Sequence, residues 1–134
     1  KQSCFACIAL GSGVIATSLA SCSTLPIIKS TLEGDRIHFD PAAFTPEVTI
    51  LLLRTNKLDH DVLVIKNGDN NYTAIYMLCT HSQFDLSCNK KQIFCTFHGA
   101  EFDFNGKVIK GPAQKNLKKF PVISEDGKLF VHIV

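Results

Sequence analysis

Residues 79–103 read CTHSQFDLSCNKKQIFCTFHGAEFD and gather three cysteines and two histidines among aromatic side chains. The stretch opens with a Cys-x-His pair, Cys79 and His81, and continues to a Cys-x-x-His pair, Cys95 and His98. Each pair directly follows an apolar run with the composition of a strand, YTAIYML before the first and QIF before the second. We therefore expect two adjacent strand-end loops that present two thiolates and two imidazoles to one metal site.

Three kinds of metal site use these side chains. Zinc accepts two Cys and two His in a tetrahedral site, but its usual spacing groups Cys with Cys and His with His. A mononuclear copper site takes one Cys, two His and a weak axial ligand, and the single methionine, Met77, leaves the two cysteines unexplained. A [2Fe–2S] cluster with two Cys on one iron and two His on the other fits the paired loops directly. A zinc-stabilised binding module stays open as an alternative of another class.

The rest of the chain is patterned for short strands, and we predict an all-β fold, a sandwich or small barrel. No long amphipathic helix pattern follows Cys22. Asn105-Gly106 and Asp126-Gly127 each separate two strand-like runs, and both dipeptides favour a type I′ turn with positive φ at its two central positions. Four further runs have strand composition, with a turn cluster at 67–71 between the last two: residues 36–39, 48–53, 61–66 and 72–78.

The N-terminal stretch has a different composition. Residues 1–22 carry one charge, Lys1, followed by an apolar run of signal-peptide length. The run ends in Leu19-Ala20-Ser21-Cys22, which resembles a bacterial lipobox in which the Cys is acylated. We expect residues 1–22 to be a lipoprotein leader, with an uncleaved anchor helix as the alternative, and residues 23–134 to form one domain. Lipidation at Cys22 would tether that domain to the periplasmic face of the inner membrane.

The domain resembles the Rieske [2Fe–2S] family, on residues that continue beyond the two loops. Gly99 follows the second His, and Phe102-Asp103 and Gly106 stand at the family's offsets. The likeness extends over residues 61–134 and takes in a proline loop and the strand after it: Gly111-Pro112-Ala113, Leu117 and Phe120-Pro121-Val122. The resemblance implies an antiparallel β-sandwich with a two-loop cluster-binding subdomain.

The resemblance also implies roles for individual residues. Cys79 and Cys95 would bind the buried iron, and His81 and His98 the outer iron near solvent. Because a neutral imidazole replaces a charged thiolate at two positions, the potential runs from about −150 to +300 mV, above the four-Cys ferredoxins. Since imidazoles titrate near neutral pH, electron and proton uptake can be coupled there. Eight residues are expected to surround the cluster: Thr80, Phe84, Phe97, Gly99, Ala100, Phe102, Gly111 and Pro112.

Two features of the chain depart from the quinol-oxidising branch of the Rieske family, and the loops are of the ferredoxin type without a disulfide. That branch carries a disulfide between the loops, and its cysteines would fall at Gln83 or Phe84 and at Phe97. Its high-potential members also place a Ser and a Tyr, which donate hydrogen bonds to sulfur, where this chain has Ala100 and Phe102. We therefore predict a potential in the lower half of the Rieske range.

Cys88 does not replace the missing cross-link on spacing grounds, and we interpret it as a small apolar residue or a free thiol. His38, His60 and His132 are interpreted as surface or strand histidines and not as ligands. Phe84, Phe97 and Phe102 are expected to shield the cluster from water.

The sequence as a whole indicates an electron carrier and not a complete enzyme. The chain has 134 residues and a net charge of +2, which argues against a nucleic-acid partner. No substrate pocket, mononuclear iron triad or nucleotide motif is recognisable. We expect redox partner proteins, a cytochrome or a membrane complex, and the alternatives are a Rieske subunit of a quinol-oxidising or other respiratory complex and a ferredoxin of an oxygenase system. Seven lysines in the cluster half form either a solvated face or a docking surface for an acidic partner: Lys90, Lys91, Lys107, Lys110, Lys115, Lys118 and Lys119.

Overall fold

A computed structural model describes residues 24–134, and it shows an all-β domain with one short 3₁₀ turn at Pro41–Ala43. The predicted fold class is therefore confirmed. The leader, the lipobox and Cys22 lie outside the described residues. Thirteen short strands follow one another along the chain: β1 Ile27–Lys29, β2 Leu32–Glu33, β3 Arg36–Phe39, β4 Ile50–Arg54, β5 Val62–Gly68, β6 Asn71–Tyr76, β7 Ser87–Cys88, β8 Ile93–Phe94, β9 Glu101–Phe102, β10 Val108–Lys110, β11 Lys119–Phe120, β12 Val122–Glu125 and β13 Lys128–His132.

The strands form three sheets. The central sheet has the order β1-β4-β5-β6-β11, the second sheet β12-β13-β3-β2, and the third sheet β10-β9-β8-β7. One edge of the central sheet departs from the antiparallel pairing found elsewhere, because β1 pairs with β4 in parallel, with Ile27 opposite Leu52. Pro121 separates β11 in the central sheet from β12 in the second sheet, so one predicted strand is divided between two sheets.

Strand β5 lies at the centre of the domain and faces two hydrophobic cores. Val62 and Val64 belong to the core that also contains residues of the second sheet, such as Ile37 and Val131. Leu63 and Ile65 point to the opposite face, into the core that contains the candidate cysteines. Side chains alternate between the two faces of a strand, so a strand covered on both faces is apolar throughout, as the run VLVI is.

The two predicted hairpin turns differ in geometry. Asp126 and Gly127 both have positive φ, 50° and 73°, as a type I′ turn requires. At the other turn Gly106 has a φ of 78°, but Asn105 does not have positive φ, so the type I′ prediction is wrong there. The cause is Asp103, whose carboxylate accepts hydrogen bonds from the N–H groups of Asn105 and Lys107, both at 2.8 Å. Such a side-chain bond imposes its own turn conformation.

Strand β4 also begins later than predicted, at Ile50 instead of residue 48. Thr45 and Val48 exchange two backbone hydrogen bonds of 3.1 and 3.2 Å. This turn holds Val48 out of the sheet.

Candidate metal centre

Two loops with matching backbone hydrogen bonds carry the candidate ligands. We name residues 79–84 the first loop and residues 95–100 the second loop. In the first loop the N–H of Cys79 donates to the carbonyl of Phe84 at 2.9 Å, and in the second the N–H of Cys95 donates to that of Ala100 at 2.8 Å. The Cys carbonyl in turn accepts from the fifth residue of its loop, Gln83 in one and Gly99 in the other, both at 3.0 Å. The two loops therefore have one fold, although one contains Cys-x-His and the other Cys-x-x-His.

The fifth residue closes each loop in the left-handed conformation. Gln83 has a φ of 57° and Gly99 a φ of 76°. Glycine adopts this conformation without steric cost, which explains its place directly after His98, whereas a residue with a Cβ is disfavoured there. In the second loop, Gly99 indicates the left-handed conformation in the sequence. In the first loop, the corresponding residue is Gln83, which does not indicate it.

The four candidate ligands lie at two levels. The side chains of Cys79 and Cys95 are buried, with exposed fractions of 0% and 1%. His81 and His98 are exposed, and their ring centroids are 5.0 Å apart in an edge-to-face arrangement. Soft sulfur donors below and imidazole donors above match the donor set of a cluster with unlike ends, so the residues present fit a [2Fe–2S] group.

A mononuclear site requires a different arrangement. Within residues 24–134, no three side chains of His, Cys, Asp or Glu are grouped so that they could hold a single metal ion. A tetrahedral zinc site needs four ligands around one point. The two buried sulfurs and the two exposed imidazoles instead lie at two levels, as ligands of two metal positions would.

The environment of Cys95 stabilises a thiolate. Burial of the side chain by itself raises the pKa of Cys95, but hydrogen bonds outweigh that effect and the pKa lies below its ordinary value. The donors to its sulfur are the Ser82 hydroxyl at 3.6 Å, the backbone N–H groups of Phe97 and His98, and the Cys79 thiol. A thiolate is the form that binds metal.

The structure brings most of the other predicted neighbours to the two loops. Phe84 and Phe97 stack on each other across the loops, with ring centroids 4.2 Å apart. Ala100 and Phe102 are fully buried in the core beneath the two cysteines. Phe84 and Phe97 are about half exposed, whereas Phe102 is fully buried. Phe102 therefore shields the site from water more completely than Phe84 or Phe97 does.

The proline loop lies beside the first loop. The hydroxyl of Thr80 donates a hydrogen bond of 2.6 Å to the carbonyl of Lys115, which joins the first loop to the segment that follows the proline loop. Gly111 and Pro112 are exposed, and the peptide bond between them is cis. Ala113 is buried in the core that contains Cys79 and Cys95.

Two residues near the site were not identified from the sequence. Ser82 lies between His81 and Gln83, and its hydroxyl reaches the sulfur of the other loop. His60, which we interpreted as a surface or strand histidine, hydrogen-bonds through Nδ1 to Asp85 at 2.6 Å, directly after the first loop. A serine next to a candidate ligand was the available signal for Ser82, and no local pattern indicates the contact of His60.

The remaining histidines and the third cysteine lie elsewhere. His38 is on β3 beside Phe130, and His132 is on β13, 3.8 Å from the carboxylate of Asp35. The three cysteines of residues 24–134 are free thiols. Cys88 is partly buried on β7, and that burial raises the pKa of its thiol to about 11. It is a small apolar residue with a weakly reactive thiol.

No helix within residues 24–134 has the length and apolar character needed to traverse a bilayer.

Comparison with protein families decides the family. Residues 48–121 match the model of the Rieske [2Fe-2S] domain. This chain belongs to the Rieske family. Rieske domains carry a [2Fe–2S] cluster held by two Cys and two His, so the cofactor expected from the two loops is confirmed. The matched segment contains both loops and the strands β4 to β11 that support them.

Individual relatives extend the comparison. The chain is 35% identical over 115 residues to the cytochrome b6-f complex iron-sulfur subunit of Chlorobaculum tepidum, covering 81% of this chain and 60% of that one. It is 34% identical over 68 residues to the ubiquinol-cytochrome c reductase iron-sulfur subunit of Rickettsia typhi, covering 48% of this chain and 38% of the relative. The Rieske chain described here thus spans three fifths or less of the length of these two curated relatives.

The fold is also similar to that of solved Rieske proteins. A chain in the complex of reduced oxygenase and oxidized ferredoxin in carbazole 1,9a-dioxygenase superimposes with a TM-score of 0.56. The match covers 75% of this chain and 94% of that one, at 22% sequence identity. It shows a shared fold.

Proposed function

We propose that this Rieske chain transfers single electrons as the iron–sulfur subunit of a quinol-oxidising cytochrome complex, with Cys79, Cys95, His81 and His98 as the cluster ligands. The observation that carries the ligand assignment is the pairing of two buried sulfurs beneath two exposed imidazoles 5.0 Å apart. Both pairs come from loops with one backbone fold, as two halves of one binding site would.

The cluster supplies one-electron redox chemistry when it is bound. The residues of this chain determine the hydrogen bonding, water access and solvent exposure around the cluster site. The Ser82 hydroxyl and the N–H groups of Phe97 and His98 form hydrogen bonds to the sulfur of Cys95, and they would stabilise added negative charge on a cluster bound there. Buried side chains such as Phe102 exclude water from the sulfur side. His81 and His98 face solvent, so they would hold the outer iron at the surface of the domain.

The names of the relatives support the choice of partner. The matched proteins of C. tepidum and R. typhi are subunits of a cytochrome b6-f complex and of a ubiquinol-cytochrome c reductase. The matched chain of the oxygenase–ferredoxin complex shares the fold at a lower identity of 22%. The proposed partners are therefore a cytochrome and the membrane complex that contains it, and the protein is an electron carrier whose oxidoreductase activity belongs to the whole complex.

A lipid tether completes the proposal. The motif Leu19-Ala20-Ser21-Cys22 supports acylation at Cys22, which would place the Rieske domain on the periplasmic face of the inner membrane. Mass spectrometry of the full chain from membranes would show a modified Cys22 at the mature N-terminus. An unmodified Cys22 inside an intact N-terminal segment would contradict the tether and leave the cluster assignment untouched.

The ligand assignment is tested by substitution. His81→Ala and His98→Ala should each abolish the [2Fe–2S] absorbance and the EPR signal of the reduced protein, and His38→Ala should change neither. His38 serves as the control because it is an exposed histidine on β3, away from both loops. Retention of a normal cluster in either loop variant would contradict the assignment.

The partner is tested by co-purification from detergent-solubilised membranes. We expect a b-type cytochrome and a c-type cytochrome to accompany the chain, and reduction of its cluster by added quinol. Recovery with a soluble oxygenase and no cytochrome would contradict the proposed complex and identify a ferredoxin.

A further inference from the structure

The aromatic pair Phe84 and Phe97 forms a contact between the two loops on the surface of the domain. Their rings stack with centroids 4.2 Å apart and an angle of 28° between the planes. Both side chains are exposed, at 48% and 59%, so little burial holds them in place. Single exposed apolar residues are ordinary on protein surfaces. Two of them in offset contact, each from a different loop, form a specific interaction.

The Phe84 end of this contact is fixed to the body of the domain. The carbonyl of Phe84 accepts the hydrogen bond from the N–H of Cys79. The next residue, Asp85, forms an isolated bridge with Leu78 and accepts the hydrogen bond from His60. The backbone on both sides of Phe84 is therefore held by hydrogen bonds, and its ring faces that of Phe97 in the second loop.

The Phe97 end of the contact leads directly to a candidate ligand. Phe97 directly precedes His98 in the chain. Its ring packs edge-to-face against the imidazole of His98 at 4.6 Å, and that imidazole packs in the same manner against His81 at 5.0 Å. Four rings thus form a continuous row from one loop to the other: Phe84, Phe97, His98 and His81.

The side-chain links between the loops are noncovalent in the described part of the chain. The cysteines of residues 24–134 form no disulfide. The Ser82 contact with Cys95 is a weak hydrogen bond at 3.6 Å, beneath the imidazoles. At the level of the imidazoles, the link is the aromatic row.

From this geometry we infer that the Phe84–Phe97 stack is a positioning element, a noncovalent brace that joins the two loops and sets the orientation of the His98 imidazole. The inference rests on the proposed role of His98 as an iron ligand. A brace acts only when both rings are present, so the loss of either ring should have the same consequence as the loss of both. Two rings that merely cover the cluster would act separately.

A double-mutant cycle on the purified, cluster-loaded protein separates these cases. The measured quantity is the rate at which the cluster absorbance is lost in excess iron chelator. We expect Phe84→Ala and Phe97→Ala each to raise that rate about three- to tenfold, and the double variant to be no faster than the faster single variant. Ile109→Ala is the matched control, because Ile109 is 57% exposed on β10, in the third sheet, whose strands β8 and β9 flank the second loop. The rate of this variant should equal that of the wild type.

A second measurement detects the orientation of His98. The EPR spectrum of the reduced protein should change in Phe84→Ala, although the Phe84 ring stacks on Phe97 and on neither histidine. It should return to the wild-type form in Phe84→Tyr, which keeps the ring. Leucine variants at the two positions provide the same cycle if an alanine variant fails to load iron.

Three results would overturn the brace: rate effects that multiply in the double variant, an Ile109→Ala effect as large as that of Phe84→Ala, or unchanged rates and EPR spectra in both single variants. The failure of the proposed function has a different signature. In that case the wild-type protein itself would contain no iron–sulfur cluster, before any phenylalanine is changed.

Discussion

The hydroxyl oxygen of Ser82 in the first loop lies 3.6 Å from the sulfur of Cys95 in the second loop. This contact crosses between the loops beneath the exposed imidazoles. It supplies a hydroxyl donor to sulfur. High-potential Rieske proteins place hydroxyl donors at the positions of Ala100 and Phe102, and neither of these side chains has a hydroxyl group. When a cluster is bound, its reduction potential would therefore depend on Ser82 together with the backbone N–H groups near the Cys95 sulfur.

Removal of that hydroxyl should lower the reduction potential. We expect Ser82→Ala to shift it down by roughly 40 mV, since a hydrogen bond contributes about 1 kcal/mol and about 59 mV corresponds to a tenfold change for one electron. Ser87→Ala on β7 is the control, and its potential should equal that of the wild type. An unchanged or higher potential in Ser82→Ala, measured by redox titration, would show that the hydroxyl does not act on the sulfur.

Addition of hydroxyl donors should have the opposite effect. Ala100→Ser and Phe102→Tyr should each raise the potential by tens of millivolts relative to the wild type, which we place in the lower half of the family's range. Phe104→Tyr is a matched control, because Phe104 packs at the margin of the same core. A wild-type potential near the top of the range, or no response to either added hydroxyl, would refute this account.

The left-handed residues that close the loops should respond oppositely to substitution. Gly99→Ala meets no atom within 4 Å, so its cost is conformational, about 1–2 kcal/mol, and the thermal midpoint should fall by about 4 °C or more. Gln83→Gly removes the same penalty from the first loop and should leave the midpoint unchanged or higher. Calorimetry on loaded protein checks both. A midpoint that falls in Gln83→Gly and stays constant in Gly99→Ala would contradict the shared loop conformation.

The two faces of β5 should differ in their influence on the metal site. Leu63 packs in the core that contains Cys79 and Cys95, and Val64 packs in the opposite core. Leu63→Ala should cost about 2–5 kcal/mol of unfolding free energy and also speed cluster loss. Val64→Ala should also destabilise the fold. When the two variants are compared at the same unfolding free energy, however, Val64→Ala should lose its cluster more slowly than Leu63→Ala. Equal loss rates in the two variants, compared at denaturant concentrations that match their stability, would argue against two separate cores.

The thiol of Cys88 should be slow to alkylate. Burial raises its pKa from 9.0 to about 11, so at pH 8 its thiolate population is roughly a hundredfold below that of an ordinary thiol. The folded state holds this proton more tightly than the unfolded state does. Its contribution to stability is therefore present below pH 9 and is lost as the pH rises from 9 to 11. Mass spectrometry of the Cys88 peptide after timed iodoacetamide treatment measures the rate, and fast modification at pH 8 would contradict the burial.

Local sequence patterns sufficed for much of the fold and for the candidate ligands. The run VLVI and the Asp126-Gly127 turn carry their structural information within a few residues, and so do the Cys-x-His and Cys-x-x-His pairs. The contacts that the sequence did not predict join residues that are distant from each other along the chain. Examples are the parallel pairing of β1 with β4, the hydrogen bond from His60 to Asp85, and the stack of Phe84 on Phe97.

The Asn105-Gly106 turn shows a different limit of sequence reasoning. The dipeptide favours a type I′ turn, and the carboxylate of Asp103 two residues earlier overrides that preference with two hydrogen bonds. Dipeptide statistics do not include such a neighbour.

The most direct test of the account is pulsed EPR on the reduced wild-type protein labelled with ¹⁵N-histidine. We predict a rhombic signal of a [2Fe–2S] cluster with hyperfine couplings to two histidine nitrogens. Loss of the signal in His81→Ala and in His98→Ala would then assign the two couplings to the imidazoles of these residues. A red-brown protein whose signal lacks histidine couplings, or a colourless protein that contains one zinc ion, would contradict the assignment of two sulfurs to one iron and two imidazoles to the other.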